Sequence, residues 1–177
     1  MMSRRPILAV IGIGETLSAD LERLSLDIGA RAIEAGFRVC TGGLGGVMSA
    51  VCRGARGAQN YREGDTLVFL PGESPEAANE WADVVIPTGL GIARNVLVVR
   101  AADIVVAIGG GAGTLSEIAM AWQLGRPVIA VSGVDGWSSR LAGLKIDDRR
   151  GDAILEVSSA KQAVSEALLI WQNTSNS

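Results

Sequence analysis

Short apolar runs rich in β-branched residues recur along this chain, each closing in a glycine-containing turn and leading into an amphipathic stretch. They fall at 7–11, 38–41, 66–70, 84–86, 103–108 and 127–131. Several are apolar on both faces, as strands buried beneath helices must be. Between the first two, residues 20–35 place Leu21, Leu24, Ile28, Ala32 and Ala35 at steps of three and four, and Gly36 stops the helix. Further helices are expected at 47–55, 92–101, 114–124 and 160–171. Gly125-Arg126-Pro127 ends one helix and opens the next strand within three residues. Strands alternating with helices imply a parallel sheet joined by right-handed crossovers. The expected fold class is α/β: a single-domain, doubly wound Rossmann-like fold over 1–177, with about six to seven parallel strands and helices on both faces. The polar residues 173–177 read as a frayed tail.

In such a sheet, ligands bind beyond the carboxyl ends of the strands, where strand order reverses. The turns therefore carry the functional information, and glycine is the outlier of the composition. It supplies 23 of 177 residues, about 13% and roughly twice ordinary usage. Histidine is absent, which removes Ser-His-Asp and Cys-His catalysis, imidazole metal sites and a histidine pH switch. A net charge of −3 gives no basic face for nucleic acid. Cys40 and Cys52 are too few for a disulfide framework or a four-thiolate zinc site and read as small buried hydrophobes. The five-residue apolar run at 7–11 is a first strand rather than a signal peptide, and no run approaches the length of a membrane span. The expected location is cytoplasmic.

Ile108-Gly109-Gly110-Gly111-Ala112-Gly113-Thr114 follows a strand and opens a helix, with four glycines in five positions. Glycine lets the backbone approach a ligand closely. The free N–H groups of the first helical turn then point at that space, and the helix dipole favours an anion there. The same arrangement appears at Thr41-Gly42-Gly43-Leu44-Gly45-Gly46 and, more weakly, at Gly12-Ile13-Gly14-Glu15. Three such turns on one edge would form a cleft for a nucleotide-sized, phosphate-bearing ligand. Gly110, Gly111, Gly113 and Thr114 form the principal phosphate cradle of this reading. Gly12, Gly14, Gly42, Gly43, Gly45 and Gly46 extend it, with Gly89 and Gly91 before the helix at 92–101.

Several chemistries are excluded. Only Lys145 and Lys161 are present and neither adjoins a glycine loop, so there is no P-loop and no pyridoxal-phosphate lysine. The first turn lacks the third glycine of the dinucleotide fingerprint, and the second strand ends in Cys40-Thr41 without a ribose-binding carboxylate. No carboxylate cluster has metal-ligand spacing. Two charges stand out. Glu117 lies in the first turns of the helix opened by the glycine loop, where the dipole alone would favour it. Arg94 lies early in the helix at 92–101, where the dipole disfavours it, so it needs a partner: a ligand anion, Glu117, or both. Arg53, Arg56 and Arg62 read as a solvated face, and Trp81 and Trp137 as loop residues packing a wall.

The paired motifs Gly42-Gly43-Leu44-Gly45-Gly46-Val47-Met48 and Gly110-Gly111-Ala112-Gly113-Thr114-Leu115-Ser116-Glu117 resemble those of the LOG-like Rossmann proteins, long misnamed lysine decarboxylases. That group includes cytokinin-activating phosphoribohydrolases and, in a shorter branch, molybdenum cofactor carrier proteins. Pro87-Thr88-Gly89-Leu90-Gly91-Ile92-Ala93-Arg94-Asn95 followed by 109–117 is similar to the shorter branch in particular. The hydrolase branch implies Arg94 and Glu117 as a catalytic pair cleaving the N-glycosidic bond of a nucleoside 5′-monophosphate, without a catalytic cofactor. The carboxylate would stabilise positive charge developing on the sugar. This chain departs from that pattern: Gly109 stands in place of proline, Ser116 in place of a second glutamate and Asn95 in place of lysine. The cradle survives while charges around the reaction centre are lost. A carrier of molybdenum cofactor or a nucleotide therefore ranks first and the phosphoribohydrolase second, since a carrier needs only ground-state binding.

Val96-Leu97-Val98-Val99 and Ile118-Ala119-Met120-Ala121-Trp122 are apolar around their helices. With the resemblance, they point to a homodimer or homotetramer. Gly133, Gly136 and Gly143 within 132–150 raise the option of a lid.

Overall fold

The computed structural model describes residues 4–175. Seven parallel strands form one sheet: β1 (Ile7–Gly12), β2 (Arg38–Thr41), β3 (Thr66–Leu70), β4 (Val84–Pro87), β5 (Ile104–Gly110), β6 (Val128–Gly136) and β7 (Leu155–Val157). Their spatial order is β4-β3-β2-β1-β5-β6-β7. The order runs one way from β1 to β4 and the other way from β5 to β7, so the direction reverses between β1 and β5. In an open α/β sheet that reversal leaves a crevice at the carboxyl ends of the two strands.

Helices cover both faces. On one lie α1 (Ala19–Glu34), α2 (Val47–Arg56) and α6 (Ala160–Ser175), packed on Leu8, Val10, Ile104, Val106, Ile108, Ile129 and Val131. On the other lie α3 (Asn95–Ala101), α4 (Ala112–Gln123) and α5 (Trp137–Leu141), packed on Ala9, Ile11, Val105, Ala107 and Ala130. Alternate residues of β5 thus enter opposite cores, which is why the run carries no polar phase. The second face is lined largely by alanine, so Trp122 of α4 and Val98 and Val99 of α3 sit close against the sheet, fully buried. Both cysteines are free and buried.

Helices α1 and α2 meet through a pair of glycines. A Cβ on Gly29 would strike the Val51 carbonyl, and one on Gly54 the Leu26 carbonyl. Helix α1 begins at Ser18, whose hydroxyl accepts a bond from the Leu21 N–H at 3.3 Å.

Some local expectations need correction. The helix expected over 92–101 is a 3-10 turn, Gly91–Arg94, followed by α3, because Gly91 enters with φ +55°. Trp137 opens α5 instead of lying in a loop. Residues 132–136 complete β6 and lead into α5, which packs on the sheet with Ser138 wholly buried, so 132–141 belong to the body of the fold rather than to a lid. Helix α6 continues through residues 173–175, where a frayed tail is expected, and residues 176–177 lie outside the described region. The apolar helix faces are mostly covered: Val96 and Leu97 are half-buried, Ile118 and Ala121 fully buried.

Candidate functional site

A cleft of about 540 Å³ opens at the β1/β5 reversal. Gly12 and Gly14 line it from the turn after β1, Gly42 from the turn after β2, and Gly110, Gly111, Gly113 and Thr114 from the turn between β5 and α4. Arg94 and Glu117 complete its buried polar wall. The three glycine turns therefore converge, although not all of their residues face the space. Gly43, Gly45, Gly46, Gly89 and Gly91 lie outside the lining.

The turn at 109–114 is held from beneath. The Gly109 N–H donates to Ser138 Oγ at 2.6 Å, and that hydroxyl donates to the Val131 carbonyl at 2.8 Å. Gly110 has φ +91°, and a Cβ there would run into the Thr114 side chain. Glycine is thus required at 110 for both conformation and space. Gly111 and Gly113 differ, since a Cβ on either would meet nothing within 4 Å. No side chain caps α4, and its first internal bond runs from the Leu115 N–H to the Gly111 carbonyl at 3.0 Å. The amides ahead of Leu115 belong to an uncapped helix N-terminus bordering the cleft, the arrangement that receives an anion.

Arg94 is 8% exposed and Glu117 is 6% exposed. The Arg94 guanidinium donates to Asn95 Oδ1 at 2.5 Å and to the Gly42 carbonyl at 3.2 Å, while its buried Nε has no partner among the described residues. A Cβ at residue 42 would collide with this guanidinium, so Gly42 is the seat of Arg94. Glu117 Oε1 stands 3.7 Å from the guanidinium, an ion pair without a direct hydrogen bond. Burial pushes the Glu117 carboxyl up to about 7, with Arg94 pulling the other way. Burial likewise lowers Arg94, opposed by Glu117. The partner that dipole physics demanded for Arg94 is therefore present, and one nitrogen remains uncommitted.

Asn95 and Ser116 also meet here. The Asn95 Nδ2 group donates to Ser116 Oγ at 3.3 Å, and that hydroxyl donates to the Gly113 carbonyl at 2.7 Å. A neutral hydrogen-bonded pair thus occupies the place of the two charges that the hydrolase motif would carry. Sequence reasoning missed Asp135 and the Met48 wall, both of which line the cleft. Nothing local marked Asp135; only the extension of β6 beside β5 brings it there, with Gly110 paired to Gly136. Trp81 and Trp137 do not reach the cleft, and Arg53 pairs with Glu22 at 2.5 Å away from it. Among the described residues no group of acidic, cysteine or histidine side chains could hold a metal ion. No helix of the described region is long and apolar enough to cross a membrane.

This geometry can be set beside known proteins. The model of the SLOG cluster4 family matches residues 5–164. The chain belongs to the SLOG cluster4 family. A protein of Archaeoglobus fulgidus is 36% identical over 124 residues, 70% of this chain and 78% of that protein. Among solved structures, the molybdenum cofactor binding protein of the phototrophic bacterium Rippkaea orientalis superposes with a TM-score of 0.81 at 30% identity. That match covers 94% of this chain and 98% of the other. The Moco carrier protein of Chlamydomonas reinhardtii gives 0.77 at 27% identity, over 94% and 99% of the two chains. The SLOG assignment agrees with the LOG-like resemblance of the paired glycine motifs.

Proposed function

We propose that this SLOG protein is a carrier that binds a phosphate-bearing small molecule, with the molybdenum cofactor as its cargo. The observation that carries this reading is the uncapped α4 N-terminus lining the same cleft as the buried Arg94. Together they offer amide donors, a favourable dipole and a neighbouring guanidinium charge to one phosphate group. The cleft volume lies in the range of ordinary small-ligand pockets. Its likeness to the Rippkaea and Chlamydomonas proteins supports the choice of cargo. The Asn95–Ser116 pair supports carriage over catalysis, because it is neutral where transition-state chemistry would want charge. In this role Gly110, Gly111, Gly113 and Thr114 hold the phosphate, Arg94 clamps it and Gly12 and Gly14 border the heterocycle. Tight but reversible binding suffices.

The test is anaerobic loading with cofactor released from a molybdoenzyme, followed by transfer to an apo-molybdoenzyme. The expected result is that loaded protein activates the acceptor after an aerobic delay that inactivates free cofactor. Failure to retain or shield the cofactor removes the reading.

A second reading has its own observation. Glu117, buried in the cleft and titrating near neutrality, is suited to the proton handling of a phosphoribohydrolase. Incubation with AMP and other monophosphates should release no free base if the protein is a carrier. Release that disappears in Glu117→Ala would establish the hydrolase instead.

We further propose a homodimer or homotetramer. Ile92, 90% exposed, lines the cleft, and Leu90, two residues earlier, is 52% exposed; both are uncovered apolar side chains. Sedimentation at micromolar concentration should show more than a monomer.

A further inference from the structure

The charges lining the cleft do not suit a bare anion. One guanidinium, Arg94, stands against three carboxyls, Glu15, Asp135 and Glu117. Arg94 already faces Glu117, which is buried beside it. The Asp135 side chain is exposed and makes no hydrogen bond or ion pair with any described residue. A carboxylate left open beside a phosphate site repels a simple anion. It becomes favourable only if the ligand turns hydrogen-bond donors toward it.

The position of Asp135 is set by the anion turn itself. Its own strand β6 pairs with β5 through Gly110 and Gly136. A Cβ on Gly109 would lie 2.8 Å from the Asp135 carbonyl, and one on Gly136 would lie 2.5 Å from the Gly110 nitrogen. Ser138, three residues on, anchors the Gly109 N–H. The backbone at 135 is therefore packed against the turn that presents the α4 amides. Glu15, by contrast, lies beyond the end of β1 in the connection to α1.

A carboxylate has two oxygens in one plane, and its best neutral partner is a planar edge with two adjacent N–H donors. A 2-amino-4-oxo-pyrimidine ring, the edge shared by pterins and guanine, has that pair. Adenine lacks it, and hypoxanthine retains one of the two donors. We infer that Asp135 is a specificity-determining residue that reads the paired N–H edge of a 2-amino-4-oxo-pyrimidine ring on the phosphate-bearing ligand. This rests on the anion cradle proposed above.

Calorimetric titrations with GMP, IMP, AMP and inorganic phosphate test it, using the wild-type chain, Asp135→Asn and Asp135→Ala. Wild type should bind GMP about tenfold more tightly than AMP, with IMP between, as two, one and no matched donors require. In Asp135→Ala the three nucleotides should converge to within about twofold, while inorganic phosphate binds about twofold more tightly because a like charge has gone. Asp135→Asn should lose most of the preference. A purely structural role would weaken phosphate and all nucleotides together, and that outcome overturns the inference. So does equal affinity for GMP and AMP in wild type, or a preference that survives Asp135→Ala. Phosphate binding without base preference rejects the role of Asp135 alone. No binding of phosphate or any nucleotide rejects the cradle, and the inference with it.

Discussion

The turns at 42–46 and 109–114 look alike in sequence, yet one is filled by protein and the other is open. In the first, the Gly43 N–H donates to Thr41 Oγ1 at 3.1 Å, and the Asn79 N–H and Nδ2 donate to the Gly43 carbonyl at 2.8 and 3.1 Å. The first amide of α2, at Val47, donates to the Ile13 carbonyl at 2.8 Å, so the loop after β1 occupies that helix N-terminus. A Cβ on Gly43 would strike Leu70 at 2.6 Å, and one on Gly46 would strike the Ile13 carbonyl. The second turn is tied down at Gly109 and crowded at Gly110, yet bare at Gly111 and Gly113. A glycine-rich strand-to-helix turn can therefore serve packing or ligand binding. What decides is which neighbour reaches the helix N-terminus first. Gly42 alone serves both, as part of the filled turn and as the seat of Arg94.

Substitutions should separate the two turns. The largest effect is expected from Gly46→Ala. Positive φ and a backbone clash together should cost about 3 kcal/mol or more in urea unfolding. A loss under about 1 kcal/mol would show that the turn has room.

Nearly as large is the pH effect of Glu117. Its carboxyl is raised from 4.5 to about 7, so the folded state holds a proton that the unfolded chain has released. Stability therefore falls as pH rises from about 4.5 to about 7, by roughly 3 kcal/mol in total, and levels off above. Glu117→Gln should flatten this part of the stability–pH profile. An unchanged slope would mean that the buried carboxyl titrates normally.

Next, Asn79→Ala leaves the Gly43 and Leu44 carbonyls without their side-chain donor. It should cost about 1–2 kcal/mol while leaving phosphate affinity unchanged. A loss of binding would mean the filled turn also contacts ligand.

The smallest stability change belongs to Gly113→Ala, in the first turn of α4 with nothing nearby. Stability should hold or rise by up to about 1 kcal/mol. Phosphate affinity should nevertheless fall about tenfold, because the new methyl group stands at the open amides. Unimpaired binding would move the anion away from α4.

Much of this molecule was legible in order along the chain. The parallel sheet followed from the two-sided apolar runs, and β5 shows why: Ile104, Val106 and Ile108 enter one core while Val105 and Ala107 enter the other. The need of Arg94 for a partner followed from the dipole of the helix it begins, and Glu117 is that partner. What escaped was short or distant. The three residues of β7 and the five of α5 are too few to show a period. Asp135 carries no local mark because β6 outlasts its apolar run and is prolonged by pairing with β5.

Periodicity and glycine placement are local properties, so the sequence by itself determined the strands, the helices and the edge of the sheet where a ligand would lie. Whether a given amide is spent on a carbonyl or left free depends on residues far away in the chain. Ile13 closes the start of α2, while no side chain among the described residues caps α4 and Ser138 only braces its approach. Only the tertiary structure decided that, because a hydrogen bond between distant segments exists once the sheet has brought them together.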